Sequence, residues 1–185
     1  MILYRLTLLA TVALLTACGG DAPEQGGGSI LAEPAETRQV TMTYDTHEGP
    51  QAYGYTVELP PAYASAKSGP EHRWQVKGTR GSIAPHVRIW MARQPSTLDA
   101  VAERAANPST GLREIVVKEE TEHAFIVVAR DIEGDWTQVE AWCKGVGVAA
   151  HCMIELYKVE RDSPQIKWAL GVARSLRSTP PVGGD

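Results

Sequence analysis

The chain has 185 residues, with 18 basic and 22 acidic side chains and a net charge of −4. That length fits a single domain with a sizeable core. A mildly acidic balance without a Lys/Arg run argues against nucleic acid as a partner and against electrostatic docking on anionic lipid.

The N-terminus opens with "MILYR" and continues with the apolar run "LTLLATVALLTA". The run is too short for a permanent span, which needs roughly 20 apolar residues. A charged start, an apolar stretch and small residues at its end describe a secretory signal over residues 1–17. Its end, "LTAC", resembles the bacterial lipobox, which implies that Cys18 is lipidated and becomes the mature N-terminus. Several acyl chains on one residue anchor stably, where a single chain binds marginally. Gly19 and Gly20 follow, not the Asp that in enterobacterial lipoproteins retains the chain at the inner membrane. The expected location is the bacterial cell envelope, lipid-anchored, at the outer membrane and facing the periplasm. Residues 18–38 carry the lipidated cysteine and a Gly/Pro/Glu-rich tether too poor in apolar residues to order itself. Its reach is about 25 Å.

From residue 39 the pattern becomes that of a folded domain, expected to run to 178 with a disordered tail at 179–185. "VTMTYDT" and "YGYTVEL" alternate with period two and read as strands separated by a Gly-Pro turn. "PPAYASAKSGPEH" reads as a loop from its prolines and small residues. "RWQVKG" and "HVRIWMA" are the next strands. "PSTLDAVAERAANP" predicts a helix with Ser96 as N-cap, Asp99 completing a near capping box, and Leu98, Val101, Ala102 and Ala105 as its apolar stripe. Four strands follow, "REIVVKE", "HAFIVVAR", "TQVEAWC" and "AAHCMIELYKV", with large apolar residues on both faces of the middle ones. "DSPQIKWALGVARSLR" predicts a closing helix, capped by Asp162 or Ser163 with Pro164 in its first turn. The expected class is α+β, a mainly antiparallel sheet with helices on its faces.

The segment "WCKGVGVAAHC" predicts a hairpin. Placing Cys143 opposite Cys152 puts Gly147-Val148 at the centre of a type II′ turn. The same register sets Ala141 against Ile154, Val139 against Leu156, Trp142 against Met153 and Glu140 against Glu155. In an oxidising compartment this pair is expected to form one cross-strand disulfide. His151 beside Cys152 points to the opposite face of the strand, so neither a metal site nor a cofactor is expected. "GVGVAA" leads into a strand and not a helix, which removes a phosphate-binding reading.

Catalytic signals are sparse. His47, His72, His86, His123 and His151 are scattered and read as polar surface or strand-end residues. Ser82 with His86 lacks a nucleophile elbow, and Glu140 with Glu155 is a conceivable carboxylate pair; together they are the sole basis for an envelope hydrolase. Of five tryptophans most are expected under the helices. Trp74, Trp90, Trp136 and Trp142 are the candidates for a partner-binding cleft.

The order of elements, with "ELPPAY", a Trp-bearing strand, "VRIWMARQPSTLDAVAERAAN", the antiparallel run and the terminal "WALGVARSLRS", resembles the PsbP-like fold of small bacterial lipoproteins such as the DcrB family. The resemblance covers roughly residues 40–178 and implies a PsbP-like α/β/α sandwich. It also implies a binding or assembly factor without catalytic residues. The chain departs from that pattern in its two cysteines and in the Pro-rich stretch at 60–72. The expected function is a membrane-anchored, non-enzymatic protein-binding module. The alternative is a periplasmic immunity protein neutralising a secreted toxin of the type VI kind.

Overall fold

The computed structural model describes residues 33–46, 49–68, 70–76, 85–95, 97–109, 111–145 and 147–179. The signal segment, Cys18, the tether as far as residue 32, His47, Ser82, Ser96 and the tail from residue 180 lie outside the described residues. The elements in order are β1 (Glu36–Thr46), β2 (Gly49–Leu59), β3 (Tyr63–Ser68), β4 (Glu71–Val76) and β5 (His86–Arg93). There follow α1 (Leu98–Ala106), β6 (Arg113–Glu120), β7 (Ala124–Asp131), β8 (Trp136–Cys143), β9 (Val148–Tyr157), α2 (Pro164–Ser175) and β10 (Arg177–Thr179). The result is an α+β fold dominated by antiparallel sheet.

Seven strands form one sheet in the order β3-β4-β5-β9-β8-β7-β6. The chain builds β3 to β5 as a meander, crosses one face through α1, and starts again at the far edge with β6. It then meanders back until β9 closes on β5, from His86 opposite Glu155 to Arg93 opposite Val148. A smaller sheet, β1-β2-β10, has its own hydrogen-bond ladder and packs against β9 and α2.

Both faces of the large sheet are covered, as the apolar residues on both faces of β7 require. Phe125, Val127 and Ala129 pack with Trp142 against Val101, Ala102 and Ala105 of α1. The alternate residues Ala124, Ile126 and Val128 join Val139 and Ile154 against Ile166, Ala169, Val172 and Ala173 of α2. Tyr53, Tyr55, Val57 and Leu59 of β2 complete that second core. Each fully buried aliphatic side chain here contributes about 1.5–3 kcal/mol.

Several local expectations change. Residues 63–68 are a strand, not a loop, because pairing with β4 from Tyr63 opposite Val76 supplies what their small side chains cannot. Tyr63 anchors it, stacking on Trp168 at 5.6 Å and donating its hydroxyl to the Pro85 carbonyl at 2.9 Å. Thr97 caps α1, its hydroxyl accepting from the Ala100 N–H at 3.2 Å. Asp99 instead receives Lys118 of β6. Ser163 caps α2 with Pro164 at its first position, as the sequence indicates. That helix stops at Ser175, and Leu176 turns inward, fully buried. The next three residues pair with β2, Arg177 with Thr56 through Thr179 with Gly54. Order also begins earlier than the tether reading suggests, since β1 starts at Glu36.

Candidate functional site

The cysteine hairpin is not stapled. Cys143 and Cys152 are both free and buried. Strands β8 and β9 pair two residues away from the expected register, with Ala141 opposite Cys152 and Trp142 opposite His151, while Cys143 lies opposite Ala124 of β7. A two-residue shift keeps every side chain on its expected face, so Val139 still meets an apolar partner, Ile154. The shift follows from the loop. Val148 already belongs to β9 and pairs with Arg93, so it cannot sit in a tight turn. The loop is tied down instead by neighbours. Gln94 donates its N–H to the Gly147 carbonyl at 3.1 Å and accepts the Gly145 N–H on its side chain at 2.7 Å. Gly147 takes φ 78°, the left-handed region that its lack of Cβ permits. Burial pushes the Cys143 thiol up to about 12, and Cys152 rises for the same reason.

The same shift separates Glu140 from Glu155. Glu140 faces Met153, and Gln138 faces Glu155. Glu155 is exposed and holds Arg88 at 3.2 Å. Glu140 is 5% exposed and His151 2%, so this histidine belongs to the interior and not to the polar surface. The Glu140 carboxylate collects donors from three side chains. Gln138 Nε2 donates to one oxygen, and Trp142 Nε1 donates to the other at 2.9 Å. His151 Nε2 sits 3.1 Å from that second oxygen. Burial would raise the carboxyl, but the hydrogen bonds from His151, Trp142 and Gln138 outweigh it and hold Glu140 below its ordinary range. Burial holds His151 below its ordinary value, and its Nδ1 finds no hydrogen-bond partner among the described residues. The imidazole stacks on Trp142 at 3.6 Å and meets Trp90 edge-on at 4.2 Å. Arg104 of α1 lies over the Trp142 ring at 5.0 Å. Arg113 donates to the Gln138 carbonyl oxygen, extending the chain of hydrogen bonds outward.

Two of the four candidate tryptophans are therefore interior. Trp142 serves the Glu140 carboxylate, and Trp74 donates to the Tyr55 hydroxyl at 3.0 Å within the other core. Trp90 is half-buried against His151. Trp136, 49% exposed, is the one that faces solvent. It leans on Tyr157, also exposed, with ring centroids 4.7 Å apart. His86 opens β5 half-buried, and burial, then Arg73 and Arg88, depress its pKa against a smaller opposing effect of Glu155.

Trp136 forms one wall of a cleft of about 350 Å³ with Gly111, Leu112, Arg113, Asp131 and Glu155. The turn between β7 and β8 builds it. Asp131 accepts the Trp136 N–H at 3.2 Å, and Gly134 adopts φ 80°. Arg130 donates to the Gly134 carbonyl at 2.9 Å and to the Val159 carbonyl at 3.1 Å, fastening the turn to the end of β9. The lining is polar through Arg113, Asp131 and Glu155 and apolar through Leu112 and Trp136. A second cleft, about 360 Å³, lies among Thr37, Thr56, Glu58, Gly171, Arg174, Ser175 and Arg177. Its cations are already engaged, Arg174 forking onto Glu119 and Arg177 donating to the Arg174 and Leu176 carbonyls.

Sequence reasoning missed the Glu140–His151 pair although its signal is present. Gln138, Glu140 and Trp142 alternate onto one face of β8, and His151 alternates onto the same face of β9; only the correct register brings them together. Compared with known proteins, the chain matches no family model and no curated protein.

Proposed function

We propose that this chain is a membrane-anchored envelope lipoprotein of PsbP-like fold that binds another protein without performing chemistry on it. The observation that supports the reading is the cleft at Trp136. Leu112, Ile132, Trp136 and Tyr157 are the exposed large apolar side chains among the described residues, and three of them gather at this one end of the sheet. Contiguous exposed apolar surface with a polar rim marks interaction sites on proteins, and tryptophan and tyrosine carry a disproportionate share of binding energy there. The carboxylates do not favour a hydrolase, since Glu140 is enclosed by its three donors and Glu155 is tied to Arg88.

The anchor rests on the "LTAC" segment ending in Cys18. Cys18→Ala is expected to move the protein from the membrane fraction to the soluble fraction; unchanged fractionation overturns the anchor. For the cleft, full-length wild type and Trp136→Ala are immobilised and challenged with envelope extract. A protein held by wild type and lost, by about thirtyfold in affinity, with Trp136→Ala at unchanged thermal stability supports the reading. Equal capture by both overturns it.

A further inference from the structure

Among the described residues the two sheets have four edges, and three of them are blunted in ways that discourage pairing with another chain. At one edge of the large sheet β6 carries a bulge between Ile115 and Val117, with Glu114, Lys118, Glu119 and Glu120 along it. At the other, β3 is six residues long. In the small sheet β10 has three residues, followed in the sequence by Pro180 and Pro181. The fourth edge, β1, has neither bulge nor proline, and its charges, Glu36, Arg38 and Asp45, stand toward its ends. It runs eleven residues, pairs with β2 without a register shift, contains no glycine or proline, and bears no charge from Gln39 through Tyr44. Threonine, valine, methionine and tyrosine fill that stretch, residues suited to a pleated surface.

We propose that β1 is a self-association edge, pairing antiparallel with β1 of a second copy of this chain. The strand is complementary to itself. Arg38, Val40, Met42 and Tyr44 turn toward the core, whereas Thr37, Gln39, Thr41, Thr43 and Asp45 are exposed. For both copies to keep their cores on one side of a joined sheet, paired residues must share that alternation, so the two-fold axis passes through a residue. Thr41 is the midpoint of Glu36–Thr46, and an axis there pairs every residue of the strand. In that register Val40 meets the partner copy's methionine at 42, Gln39 meets threonine, and Thr41 meets itself. Thr37 faces aspartate, Arg38 faces tyrosine, and no like charges are opposed. The product is a six-stranded antiparallel sheet, β10-β2-β1 from each copy. An extended peptide could satisfy the same backbone groups; the second copy is favoured because its register opposes no like charges and sets β-favouring side chains on one another through the uncharged middle of the strand.

The axis residue supplies the test. Sedimentation equilibrium of the full-length protein in detergent should show reversible dimers. Thr41→Lys opposes two ammonium groups at the axis and should weaken the dimer about fivefold or more, with Thr41→Glu behaving alike. Mixing Thr41→Lys with Thr41→Glu should restore association beyond that of either alone. Should Thr41→Lys lower the melting temperature, the double variant Gln39→Lys with Thr43→Lys, both positions exposed, sets lysine opposite lysine on either side of the axis and carries the same test. A wild type that stays monomeric at every attainable concentration overturns the proposal, whether or not it takes up an added extended peptide. So does a Thr41→Lys dimer of unchanged strength, or a mixture without recovery.

Discussion

A carboxylate enclosed in a protein is tolerated when both of its oxygens meet donors. Glu140 meets that condition through Gln138, Trp142 and His151. Removing it should cost more than one interaction, because three donors lose their acceptor together. Glu140→Ala is expected to destabilise by about 3–5 kcal/mol in urea denaturation. Glu140→Gln, which keeps the shape and one acceptor, should cost clearly less. The pair also fixes the direction of a pH response. His151 titrates in the fold below its ordinary 6.5, so the unfolded chain takes up that proton first, and stability falls as pH drops below about 6.5. Glu140 is likewise held below 4.5, which adds a second loss below about that pH. Urea midpoints measured from pH 7 downward should decline through both windows, and His151→Phe should flatten the upper one. No titration of the native protein is needed to read the result.

At the scale of elements, α1 is a nine-residue helix whose start depends on one side chain. Thr97→Ala leaves the Ala100 N–H without its acceptor and should cost about 1 kcal/mol, seen as a lowered thermal midpoint. The same helix shows why some of the fold was legible and some was not. Its apolar stripe repeats at helical spacing, and three of the four predicted stripe residues are buried in the structure. Alternation likewise marked β1 and β2, and large apolar residues on both faces marked the middle strands. Caps and edges were harder. Two adjacent hydroxyl residues, Ser96 and Thr97, are equally plausible caps by type, and only the backbone decides. Strand β3 is built from alanine and serine, so its order comes from β4 rather than from its own pattern. The β8–β9 register failed for a related reason. Period two determines which face a residue takes but is blind to a slip of two, and the loop pinned by Gln94 made that choice. Trp136 was legible only as one of several tryptophans; that it alone faces solvent depends on the turn fastened by Arg130.

For the molecule as a whole, the core between the sheet and α2 shelters both thiols. Native protein treated with an alkylating reagent should leave Cys143 and Cys152 unmodified, while denaturant exposes both; mass spectrometry of the peptides distinguishes these states. Reductant should not change the melting temperature, since no bond between them contributes to it. The proposed anchor and the cleft stand at opposite levels of this picture. One is a four-residue signal read from sequence alone, and the other is a surface assembled from β6, β7, β8 and β9.

The pairing of β10 with β2 has a consequence for how the chain is made. The last described strand borders a strand near the beginning, and Leu176, just before it, fills the core between them. A growing polypeptide can complete most of its local meanders early, yet Gly54, Tyr55 and Thr56 wait for a neighbour that is synthesised after every other described strand. Until then the inner strand of the small sheet is a raw edge, open to the wrong partner. Ending the chain at Ser175 would leave nearly all the strands present and the native state missing.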